Sequence, residues 1–129
     1  MKGAVEGLHH VQVVMPPDGE DAARAFYAGV LGLEEREKPA ALGGRGGCWF
    51  ALGTGGDTLH LGVEKEFRPA RKAHPALRVA TGALDGLRAA IIAAGAPVHE
   101  EIVLPGLRRF STDDPFGNRL ELLEVLPPK

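Results

Sequence analysis

The sequence predicts an α+β fold made of two tandem βαβββ modules, and three observations carry that prediction. The order strand, helix, three strands occurs twice within 129 residues, at similar lengths. Two stretches, Glu20 to Val30 and Leu84 to Ala94, carry the 3.6-residue periodicity of helices, while the remaining apolar segments are short and β-rich. The last strand is announced by Asp114-Pro115-Phe116-Gly117-Asn118, a turn in which proline presets φ and glycine and asparagine accept left-handed backbone.

The first module, about residues 7–64, opens with Leu8 to Val14. Alternation there puts Val11 and Val13 on one face, with His10 and Gln12 on the other. Met15-Pro16-Pro17 ends the strand. A helix over Glu20 to Val30 has acidic residues in its first turn, Ala22, Ala25, Phe26 and Val30 near one stripe, and Gly32 just past its end. Phe26 and Tyr27 read as packing residues. Strands follow around Leu33 to Arg36, Gly47 to Leu52 and Thr58 to Val63; in the last, Leu59, Leu61 and Val63 share a face and His60 points the other way.

Residues 65–73 read as a basic connector, with Arg68, Arg71 and Lys72 as a solvated charged loop beside which an anionic ligand could pass. The second module, about residues 74–126, begins with His74 to Val79, where His74, Ala76 and Arg78 oppose Leu77 and Val79. Leu84, Leu87 and Ile91 mark the second helix, closed by Gly95 and Pro97. Strands are expected around Val98 to Glu101, Leu107 to Ser111 and Arg119 to Val125. In the last, Leu120, Leu122 and Glu124 share one face, and Glu121, Leu123 and Val125 the other.

Composition narrows the possible functions. A chain that is 44% hydrophobic can fold as a single domain without staples, and a net charge of -2 offers no general attraction for nucleic acid or an anionic membrane. The single cysteine, Cys48, cannot form an internal disulfide and reads as a small core residue; Trp49 reads as core or cavity wall. With no signal-like or membrane-length apolar run, a cytoplasmic location is expected.

The repeat picks out the candidate site. His10 and His74 stand 64 residues apart, each near the start of its module's first strand, and His60 and Glu121 stand 61 apart, each in its module's last strand. All four point away from the apolar faces that should meet the helices. If the two sheets curl their other sides toward each other, the four residues line one concavity.

Leu8-His9-His10-Val11, Ala25-Phe26-Tyr27-Ala28-Gly29-Val30-Leu31-Gly32-Leu33 and Asp114-Pro115-Phe116-Gly117-Asn118-Arg119-Leu120-Glu121 together resemble the vicinal oxygen chelate superfamily. That group holds glyoxalase I, fosfomycin-resistance thiol transferases, extradiol dioxygenases and bleomycin-binding proteins. The resemblance implies a curved eight-stranded mixed sheet around a cavity with a divalent metal, Fe(II), Mn(II), Ni(II) or Zn(II). It places ligands at His10, His74 and Glu121, with His60 where glyoxalase I has a second carboxylate. That departure argues against the glyoxalase I reaction, which uses a site carboxylate as base. His9 should point opposite to His10 and stays outside the ligand set.

Two imidazoles and one carboxylate suit a metal that keeps open positions for substrate. Glu121 is then a ligand only, or a ligand and proton carrier; His60 is a fourth ligand, a general base or a hydrogen-bond partner of the ligands. Arg78, on the same face as His74, can grip a carboxylate or phosphate of a substrate, and Gln12 stands in the same relation to His10. The leading expectation is a metal-dependent enzyme that chelates vicinal oxygens of a small substrate, by a lyase or isomerase, dioxygenase or thiol-transfer reaction. The alternative is a metal-free protein that binds a drug or metabolite in the same cavity. The resemblance further implies a homodimer, whose cavities can combine modules of two chains.

Overall fold

Alternation of apolar residues along each strand, and a 3.6-residue stripe along each helix, leave one face of every element to be buried. The computed structural model, which describes residues 1–128, gathers most of these faces into one core. The elements are β1 (His10–Met15), α1, β2 (Glu35–Arg36), β3 (Cys48–Leu52), β4 (Asp57–Val63), β5 (Ala76–Arg78), α2 (Leu84–Ala93), β6 (Val98–Glu100), β7 (Leu107–Asp113) and β8 (Arg119–Val125). Helix α1 is α-helical over Glu20–Ala23 and continues as a π-helix over Arg24–Val30. A 3-10 turn at Ala40–Leu42, not foreseen from periodicity, sits between β2 and β3.

The eight strands divide evenly into two mixed sheets of identical plan, β1-β4-β3-β2 and β5-β8-β7-β6. β1 runs parallel to β4 and β5 parallel to β8, with the other neighbours antiparallel. A parallel pair needs a crossover connection, and in each module the helix supplies it.

The core draws on both sheets and both helices. Val13 and Met15 of β1, Phe50 of β3, and Leu59 and Leu61 of β4 meet Phe26 and Tyr27 of α1. Phe110, Leu120 and Leu122 join it from the second sheet, and Leu84 and Ile91 from α2. Cys48 lies in this core as expected, and its burial pushes the thiol pKa up to about 11, so it stays protonated and inert at neutral pH. The predicted strand faces hold: the apolar set points inward, and His10, Gln12, His60, Arg78 and Glu121 sit on the faces turned away from the core.

The turn before β8 does more than reverse the chain. Asp114 is buried, and its carboxylate accepts hydrogen bonds from the amides of Phe116 (2.9 Å) and Asn118 (2.8 Å), from Asn118 Nδ2 (3.0 Å) and from the Tyr27 hydroxyl of α1 (2.7 Å). Gly117 takes φ +89°, the left-handed conformation the turn requires. Asn118 Nδ2 also donates to the Val14 carbonyl of β1 at 2.7 Å, while its Oδ1 accepts from the Ala70 amide of the connector at 3.0 Å. One turn therefore ties the second module to α1, to β1 and to the connector.

Removing the Tyr27 hydroxyl leaves a buried carboxylate oxygen short of a donor. Tyr27→Phe is expected to cost about 1–3 kcal/mol, and Asp114→Ala, which orphans several donors at once, about 3–5 kcal/mol. Urea unfolding of the two variants measures this; an Asp114→Ala variant as stable as the parent would remove the turn from its structural role.

Candidate functional site

In the first sheet, cross-strand register places Gln12, His60 and Trp49 in one row and His10 beside Thr58 in the next. The rings form a stack. His60 lies parallel to Trp49, with centroids 3.8 Å apart and planes 2° from parallel, and His10 covers its other side at 4.4 Å and 13°. His60 is buried by these neighbours although it faces away from the core, and its Nε2 is hydrogen-bonded to Thr58 Oγ1 at 2.7 Å. Burial, and then the nearby His10 and His9 imidazoles, holds its pKa below the ordinary histidine value.

His9 was expected on the opposite face from His10. It precedes β1, where alternation no longer binds, and turns its ring against His10, with the two Nδ1 atoms 3.0 Å apart. His10 itself is exposed.

The second sheet carries the other pair. His74 Nε2 lies 3.5 Å from Glu121 Oε1. His74 Nδ1 donates to the Lys72 carbonyl at 2.8 Å, and because a carbonyl only accepts, the neutral ring has its proton on Nδ1 and its lone pair on Nε2, toward the carboxylate. Glu121 is buried, and Arg109 Nη1 donates to its Oε1 at 3.0 Å. Arg109 is itself held by the Ile102 carbonyl through Nε and Nη2.

Sequence reasoning missed Arg109. Its signal was available in the alternation of Leu107 to Asp113, which puts Arg109 on the same face as Ser111, the residue opposite Glu121. Around it the face is densely paired: Arg119 with Glu101 (2.6 Å), and Asp113 with both Arg71 (3.2 Å) and His99 (3.2 Å). The Ser111 hydroxyl and the Arg119 guanidinium hold the Glu101 carboxyl below its usual pKa.

The structure thus brings the four candidate ligands together two by two, His10 with His60 and His74 with Glu121. Among the described residues, no three of His, Cys, Asp or Glu stand close enough to hold a metal within one chain. Arg78 is exposed on the outward face of β5, and Gln12 lies over Gly62, where a Cβ would meet its carboxamide at 2.9 Å. In the connector, Arg71 donates to the Gly117 carbonyl at 2.6 Å, so this part of the expected solvated loop is tethered to the turn.

Because the folded-state pKa of His60 is lowered, the unfolded chain binds a proton first as pH falls below about 6.5. The stability His60 contributes is complete above that value and is lost as pH drops through the folded pKa. Urea unfolding at pH 7.5 and 5.5 is expected to show a smaller acid loss for His60→Gln than for the parent.

The comparisons with known proteins bear on the family and the fold. The family model for the glyoxalase/bleomycin resistance protein/dioxygenase superfamily matches residues 7–122. A solved Bacillus anthracis structure, assigned to the glyoxalase family, is 42% identical, with 97% of this chain and 99% of that chain covered and a TM-score of 0.88. A glyoxalase/dioxygenase from Nostoc punctiforme is 24% identical over 100% of this chain and 96% of its own, with a TM-score of 0.77. The fosfomycin resistance protein FosX from Listeria monocytogenes, solved as a point mutant with Mn(II) and 1S,2S-dihydroxypropylphosphonic acid, shares the fold at 16% identity. That match covers 96% of this chain and 94% of that one, with a TM-score of 0.74. No curated protein matches the sequence. The match over nearly the whole chain, together with the duplicated βαβββ plan, makes this chain a member of the glyoxalase/bleomycin resistance protein/dioxygenase superfamily.

Proposed function

We propose that the chain is a metal-dependent enzyme acting on a small oxygen-rich molecule, with each site assembled from two copies. His10 and His60 come from the first sheet of one copy, His74 and Glu121 from the second sheet of the other. The observation that carries this reading is the His74–Glu121 pair. A lone pair on Nε2 and a carboxylate oxygen converge to 3.5 Å, an arrangement of two acceptors that favours a cation between them. The Lys72 carbonyl fixes the ligating tautomer, as hydrogen-bond partners of metal-bound histidines do. The donors suit Fe(II), Mn(II), Ni(II) or Zn(II) in kind, and their number is completed only by His10 and His60 from the first sheet of the other copy.

A divalent ion there supplies Lewis-acid stabilisation of negative charge on vicinal substrate oxygens. Around it the chain's own residues divide the work. Glu121 acts as ligand and proton carrier, with Arg109 holding the carboxylate in place. His60, neutral near pH 7, serves as base or as the support that orients His10. Trp49 covers the other face of His60 and keeps water from it. Arg78 and Gln12 are the polar groups best placed to contact substrate. Two copies built this way form a homodimer. The reaction, whether lyase or isomerase, dioxygenase or thiol transfer, is left to assay.

Metal analysis after reconstitution with each of the four ions is expected to give one ion per chain, with affinity reduced by more than about 100-fold in His74→Ala and Glu121→Ala. Absence of stoichiometric metal, with ligand binding retained, would instead favour a metal-free binding protein. A mixing experiment tests the sharing of the site. His10→Ala and Glu121→Ala copies, each unable to bind metal, should regain binding when refolded together, since one of the two sites in the mixed dimer is then intact. A site within one chain predicts no recovery.

A further inference from the structure

A cavity of about 260 Å³ opens on the outward face of the first sheet, directly beyond Gln12 and Gly62. Register fixes its relation to the candidate site. Gln12 is the β1 partner of His60, and Gly62 follows His60 by two residues on β4, hence on the same face and about 6.5–7 Å further along. The missing side chain at Gly62 makes the floor: the Gln12 carboxamide lies across it, and any Cβ there would strike the amide at 2.9 Å.

The far wall is cationic. Lys38 and Arg45, from the segment between β2 and β3, both line the cavity. That segment is anchored. Lys38 Nζ donates to the Gly46 carbonyl at 2.6 Å, and the Gly47 amide donates to Glu20 Oε2 at 2.9 Å, which lowers the Glu20 pKa. Gly47 can seat there only as glycine, since its φ is +87° and a Cβ would lie 2.2 Å from the Leu61 carbonyl oxygen. Arg45 forms no ion pair and no side-chain hydrogen bond among the described residues, in contrast to Arg108, Arg109 and Arg119 of the second sheet.

We infer that this cavity is an anion subsite, and that the substrate of the proposed site carries a carboxylate, phosphate or phosphonate group held by Arg45, Lys38 and the Gln12 amide. This rests on the proposed function for its position beside the metal and names the substrate class of that site. The chemistry is that of an unpaired guanidinium and an ammonium around a pocket sized for one small group, with a neutral N–H donor on the side nearest the histidines. A glycine floor keeps the carboxamide free to turn toward the ligand.

The test uses the full-length protein freed of metal, so that its outcome is independent of whether the ion binds. Titration with inorganic phosphate and, separately, with acetate, followed by amide NMR, is expected to shift Gly46, Gly47, Gly62 and the Gln12 side-chain amide with saturable binding. Arg45→Gln should weaken binding at least about tenfold, and Arg68→Gln, in the connector, should leave it unchanged. A phosphate response with no acetate response narrows the group to a phosphoryl or phosphonyl dianion; the reverse narrows it to a carboxylate. Absence of saturable binding, shifts centred on Arg71 and Arg119 instead, or equal affinity in Arg45→Gln would overturn the assignment. Should the metal count fail while this binding holds, the pocket stands as the ligand site of a metal-free binding protein.

Discussion

A buried carboxylate organises this molecule. Asp114 sits where water does not reach, and an ion in that position is tolerated only if its lone pairs are met by donors. They are, by two turn amides, the Asn118 carboxamide and the Tyr27 hydroxyl. In return Tyr27 is a poor acid, its pKa driven well up by burial and by the neighbouring negative charge, so it remains a donor across the physiological range. Because these bonds join the turn that leads into β8 to Tyr27 of α1, they set where Glu121 stands relative to the first module. The position of the candidate site is inherited from a hydrogen-bond network on the other side of the sheet.

Most of the element order was legible in the sequence, because strand alternation and helix periodicity are local signals. The faces were legible for the same reason: a period of two leaves no freedom once one side is apolar, so His60 and Glu121 had to point outward. What could not be read was how the two modules meet. The helices and the apolar faces of both sheets share one core, and the two polar faces turn away from it. That choice depends on the fit between Phe26, Tyr27, Leu84 and Ile91, a matter of shape rather than pattern. His9 escaped for another reason, since it lies outside the strand whose alternation was used to place it. The Asp114 motif was recognised as a turn, but its bond to Tyr27 joins residues remote in sequence.

The two outward faces are chemically unlike. The first presents flat rings, with His10, His60 and Trp49 in parallel array and a cationic pocket beyond them. The second presents charges already matched to one another, Arg109 with Glu121, Arg119 with Glu101, and Asp113 with Arg71 and His99. A matched network is stiff, and stiffness suits groups that must hold an ion or a proton at a fixed point. Stacked rings beside an unpaired arginine suit recognition of a planar or anionic ligand. The duplicated architecture is kept while the outward faces of its two copies differ in chemistry.

The bond from Tyr27 to Asp114 spans 87 positions of the chain. Closing a loop of that length costs about 4 kcal/mol in chain entropy, more than a hydrogen bond of about 1 kcal/mol returns. It can therefore form only between surfaces that have already docked, which places it late in folding, after each module has paired its own strands. The contact is thus a latch between the two halves of the chain: it closes only when the final turn of the second module meets the helix of the first.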